Sequence, residues 1–143
     1  MTTMDRELSE ELDRVSRMPD GAARVAAAEH LLRRVEAEGH EEALPRALAL
    51  LVRAYVWGNE AEKSFLPFTS SLRLYDERPE LFSASDRHNL FWSFRWMVYR
   101  VQAFPTITFE HVEEVVADYR RRFALEGLGM DAPMLDEFRW ARE

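Results

Sequence analysis

Apolar residues along this chain recur every three or four positions, and no stretch alternates with period two. That spacing places them on one face of a helix, so the pattern predicts helices throughout. A first helix is predicted over 5–17, with Leu8, Leu12 and Val15 on one side and Pro19 as its stop. Asp20 is placed to cap a second helix that carries Val25, Ala28, Leu31, Leu32 and Val35 and ends at Gly39. The third begins near Glu41, tolerates Pro45 in its first turn, and presents Leu44, Leu48, Leu51, Val52 and Tyr55. Gly58-Asn59 breaks the chain before the fourth, which runs to about Tyr75. Pro67 leaves two alternatives for it: Ser64 caps a shortened helix, or Pro67 kinks a longer one where its hydrogen bond to Lys63 is missing.

Ser83-Ala84-Ser85-Asp86 has the form of a capping box and opens a fifth helix that reaches Ala103, before Phe104-Pro105. Thr108 caps a sixth with Val112, Val115, Val116, Tyr119 and Phe123 inward, stopped by Gly127 and Gly129. Asp131 caps a seventh, with Pro133 in its first turn, that continues to Glu143. Hairpin signals are absent, and helices joined by loops of a few residues fold back on their neighbours. The expectation is an all-α protein of about seven helices in antiparallel hairpins. At 143 residues it is one domain, 1–143.

Two segments share a pattern. One reads Leu48-x2-Leu51-Val52-x2-Tyr55, then Ser64-x3-Phe68, then Pro79; the other reads Trp92-x2-Arg95-Trp96-x2-Tyr99. The first resembles the tetratricopeptide repeat, W-x2-L-G-x2-Y followed by A-x3-F and a late proline. Val52 and Trp96 stand where that family has a small residue, and Arg95 stands where it has leucine. Tyr55 and Tyr99 lie 44 residues apart, against about 34 in a regular repeat. The resemblance is therefore to a degenerate, lengthened array, and it implies hairpins stacked as a short right-handed α-solenoid.

Composition narrows the class. The chain is 47% hydrophobic and 31% charged, which suits a folded domain. It has no cysteine, which removes disulfides, thiolate metal sites and cysteine nucleophiles. A net charge of −7 disfavours nucleic acid as a partner. Arg120-Arg121-Arg122 is the only basic run, and consecutive helical residues sweep around the axis, so it forms no single patch. No segment is apolar enough to span a membrane, and the first residues lack the basic start and apolar run of a signal peptide. A cytoplasmic protein is expected. With one lysine against many arginines, the bias suggests a GC-rich, bacterial genome.

Catalytic patterns are missing. His30, His40, His88 and His111 have no glutamate three residues before them, so the metal spacing of helical bundles does not arise. Glu10-Glu11, Glu41-Glu42 and Glu113-Glu114 are adjacent pairs whose members point apart on a helix. Phosphate-binding glycine loops and nucleophile elbows are absent. The expectation is no enzyme, no metal and no cofactor.

The tetratricopeptide resemblance implies a concave groove lined by the first helix of each pair. Here these are the third and fifth helices, presenting Arg46, Ala49, Arg53 and Val56 or Trp57, and Leu90, Ser93, Met97 and Arg100. Three arginines on one groove suit an acidic peptide or other carboxylate, which guanidinium binds bidentately. The family's carboxylate clamp of lysine and asparagine does not map onto this chain. An adaptor or scaffold binding a protein or acidic peptide is the function expected from this resemblance. The alternative is a ligand-binding or enzyme-accessory domain with an aromatic pocket around Trp92 and Trp96. The crowded aromatics Phe91, Trp92, Phe94, Trp96 and Tyr99 otherwise mark the fifth helix as a central core helix. Leu135, Phe138 and Trp140 near the end of the chain have no later helix to cover them. They are expected either to pair two copies in a homodimer or to continue into a longer protein.

Overall fold

The computed structural model describes residues 3–101, together with Glu110, His111, Glu113, Glu114, Ala117, Asp118 and Arg121. The chain divides into two compact units, Met1–Met97 and Val98–Glu143.

Helix α1 spans Thr3–Arg17 and buries Leu8, Leu12 and Val15, the stripe its spacing predicts. A buried charge makes its corner with α2 (Ala22–Glu38). Arg24 is only 2% exposed; its Nη1 donates to Asp20 Oδ1 at 2.8 Å and its Nη2 to the Ser16 carbonyl at 3.1 Å. Asp20 therefore does not cap α2. Gly21 holds the N-cap position without a side-chain bond, because the carboxylate is drawn to the buried guanidinium, which cannot be left unpaired. Gly39 ends α2 with φ 71°, the left-handed stop that glycine adopts without a Cβ penalty.

A single 3-10 turn, Glu41–Ala43, leads into α3 (Leu44–Trp57), with Pro45 in its first turn. This helix packs against α1, α2 and α4. Ala47, Leu48, Leu50, Leu51, Val52, Ala54, Tyr55 and Val56 are all buried, so α3 is covered on most sides. The Tyr55 hydroxyl donates to Glu29 of α2 at 2.7 Å, and burial pushes its pKa up. Just past the helix, Gly58 lies so close to α2 that an added Cβ would run into the Ala54 carbonyl and stand 2.8 Å from Val25 Cγ2.

Asn59, with φ 67°, turns the chain into a second 3-10 turn, Ala61–Ser64. Helix α4 (Phe65–Glu77) follows, and Pro67 sits in its first turn, where no intrahelical bond is lost. Of the two alternatives, the shortened helix is the one formed. Ser64 holds the N-cap position, but its hydroxyl donates to the Ala61 carbonyl at 2.5 Å instead of capping.

Helix α5 spans Ala84–Val101. Its capping box is complete: the Asp86 N–H donates to Ser83 Oγ at 3.1 Å, and the Ser83 N–H donates to Asp86 Oδ2 at 3.0 Å. Leu90, Ser93, Phe94 and Met97 are buried, with Phe94 5.7 Å from Phe68 of α4 between ring centroids. The expected all-round burial of this helix does not occur. Phe91, Trp92 and Trp96 are half-buried and Arg95 is exposed. The aromatics lie around the helix axis, and only those in phase with Leu90 reach the core. The central helix is α3.

Five α-helices and three 3-10 turns are complete among the described residues, which contain no strand. None of the described helices is long and apolar enough to cross a membrane. Of 98–143, Glu110, His111, Glu113, Glu114, Ala117, Asp118 and Arg121 have helical backbone, and Arg121 pairs with Asp118. Thr108, the glycines 127 and 129 and the predicted seventh helix fall outside the described residues.

Gly58→Ala should destabilise the fold by about 1–3 kcal/mol, as overpacking does, because backbone on one side and α2 on the other must yield. Urea denaturation followed by circular dichroism measures it. A neutral change would mean that α3 can move away from α2 at no cost. By the same measurement, Phe94→Ala should cost about 3–5 kcal/mol, the range for a fully buried aromatic. Trp92→Ala should cost clearly less, since its side chain is only partly buried.

Candidate functional site

The uncovered stripe of α3 is the floor of the candidate site. Arg46, Ala49 and Arg53 recur at i, i+3 and i+7, and none of the three is fully buried. They line an open groove of about 480 Å³ together with Ser16 of α1 and a stripe of α5 formed by Asp86, Asn89, Ser93 and Trp96. Ser83 and Ser85 complete it at the start of α5. A volume of that size lies within the range of small-ligand and peptide sites.

The two arginines differ. Arg46 Nη2 donates to Asp13 of α1 at 2.6 Å. That bond holds the Asp13 carboxyl below its usual range, and the pair is close to neutral as a whole. Arg53 has no ion pair among the described residues; it lies over Trp96, its Cζ 5.7 Å from the ring centroid. The side chain is exposed there, so its guanidinium is accessible to a bidentate acceptor.

Trp96 continues into an aromatic strip outside the groove. Trp57, 37% exposed, meets it edge-on with centroids 6.2 Å apart. Trp92 lies 6.0 Å away on the other side and donates its Nε1 proton to His88 Nε2 at 2.8 Å. Arg95 in turn lies over Trp92, 5.5 Å from its centroid. All three rings of the strip, Trp57, Trp92 and Trp96, are partly open to solvent.

Of the positions expected from sequence, Arg46, Ala49, Arg53 and Ser93 line the groove, and Trp57 stands beside it against Trp96. Leu90 and Met97 do not: they are 4% and 0% exposed and belong to the core. Val56 is likewise buried. Arg100 is half-buried and lies in the 98–143 unit. Within the first unit, the arginines that line the groove are Arg46, already engaged, and Arg53. Leu135, Phe138 and Trp140 lie outside the described residues.

Asp86, Asn89 and Trp96 are among the groove positions that repeat spacing missed. The capping box carries the signal that locates them. It makes Asp86 the third residue of α5, and counting i+3, i+7 and i+10 from there gives Asn89, Ser93 and Trp96, a polar stripe in an aromatic helix.

No His, Cys, Asp or Glu group able to hold a metal occurs among the described residues. His40 lies between Glu38 and Glu42, at 3.6 and 3.7 Å, as a local contact at the end of α2. Comparison with known proteins gives no relative: no protein family, curated protein or solved structure matches this chain.

Proposed function

We propose that this chain is a protein-interaction module, an adaptor or scaffold that takes an acidic peptide segment of a partner into the groove on α3. One observation carries the reading: residues of alternate helices, α1, α3 and α5, converge on one open groove whose uncommitted cation is Arg53. In tetratricopeptide-like stacking the first helix of each pair contributes to the concave face, and α1, α3 and α5 hold that place in chain order. The first repeat copy agrees with this reading in its packing. Ser64 and Phe68, at the A-x3-F positions, are both fully buried. The second copy departs from it, since Arg95 is exposed and Trp96 half-buried where Leu51 and Val52 are buried.

Arg53 supplies a carboxylate-binding fork and Trp96 a rigid apolar wall behind it. Asn89 and Ser93 offer hydrogen bonds to the backbone of an extended segment. The cytoplasm is the compartment proposed for the module.

Selection of a random peptide library on the full chain should enrich sequences that carry an Asp or Glu side chain. Arg53→Glu should weaken the enriched peptides at least about tenfold, through loss of one charge-assisted contact and gain of a repulsive one. Asp13→Asn, which releases Arg46 into the groove, should strengthen them. Enrichment without acidic bias, or binding indifferent to Arg53→Glu, would refute the proposal.

A further inference from the structure

We infer that the groove is dipolar and selects an extended peptide carrying an acidic and a basic side chain about four residues apart. This rests on the peptide-binding reading above and deepens it. Along α5 the groove positions run from Asp86 to Trp96, ten residues or about 15 Å at 1.5 Å per residue. Arg53 lies over Trp96 and so marks the basic end. At the opposite end Arg46 is neutralised by Asp13, which leaves Asp86 as the uncompensated charge. The capping bond from the Ser83 N–H occupies Asp86 Oδ2, and Oδ1 has no partner among the described residues. The α5 N-terminus offsets part of this negative charge without removing the acceptor.

The separation decides how these charges act. The Asp86 and Trp96 positions are about 15 Å apart along the α5 axis, beyond the Debye length of roughly 8–10 Å at physiological salt, and Arg53, over Trp96, makes no ion pair with Asp86. Each is open to a ligand charge of opposite sign. An extended peptide advances about 3.3 Å per residue, so 15 Å is four to five residues. A long lysine or arginine side chain reaching toward Asp86 shortens the best separation to about four. Between the two ends, Asn89 and Ser93 lie where peptide backbone would pass. A purely acidic segment would place a carboxylate against Asp86, and this end of the groove rejects it.

The test uses fluorescein-labelled dodecapeptides of glycine, serine and alanine carrying one Glu and one Lys at separations of one to seven residues. Glu-only and Lys-only peptides are the controls, and fluorescence polarisation with the full chain is the readout. Affinity should peak at a separation near four, about threefold to fivefold above the Glu-only peptide, the weight of one exposed ion pair. Asp86→Asn keeps an oxygen for the Ser83 N–H, and an unchanged thermal transition would confirm an intact helix start. It should erase the advantage of the Lys-bearing peptides over the Glu-only peptide. If Glu-only peptides bind as tightly as any dipolar one, or Asp86→Asn changes nothing, the dipolar selection is overturned while acidic-peptide binding stands. If neither kind binds, both readings fall.

Discussion

The covering of α3 is the constraint on which the rest of the first unit depends. The helix carries so many apolar and small residues that α1, α2 and α4 must all pack against it. Ala47 and Ala54 let neighbouring backbones approach, and Gly58 extends the close approach to α2 beyond the last turn. Burying Val56 as well as Leu48 leaves a single narrow stripe in reach of solvent. That stripe contains Arg46 and Arg53, so the groove exists where the covering of α3 runs out.

Helix boundaries were largely legible in the chain because their signals are local. Gly39 and the Ser83–Asp86 box each act within one turn and mark helix ends that lie where expected, while α3 starts at Leu44 after a 3-10 turn and Pro67 left two starts open for α4. Asp20 was misleading because its carboxylate had a choice of partners. Capping propensity does not register a guanidinium four residues on that is about to be buried. The same limit hid the phase of α5. Trp92 and Trp96 look like core by hydrophobicity, but a tryptophan can serve as well with one edge in water, and Phe94 is the side chain that fills the interior.

The candidate site was legible on α3 and poorly legible on α5 for a physical reason. On α3 the polar residues are few and stand out against a nearly continuous apolar surface. On α5, repeat spacing measured from α3 put Leu90 and Met97 in the groove, yet the helix is rotated so that these pack inward and Asp86, Asn89 and Trp96 face the opening. Spacing between repeats carries no information on rotation unless the intervening turns are identical in length, and here they are not. Nor does sequence show that Arg46 is committed to Asp13, since the two lie 33 positions apart.

The buried corner between α1 and α2 bears on how the protein reaches this structure. Arg24 binds groups only four and eight positions away, and so closes a loop of very small entropic cost. The corner can therefore assemble on the timescale of helix formation, before α3 is in place. Once formed, it presents Val15, Val25 and Ala28 as a ready surface on which the apolar side of α3 can condense. The guanidinium that Asp20 forgoes capping α2 to meet thus ties the corner together from within its own stretch of sequence, without help from any distant element.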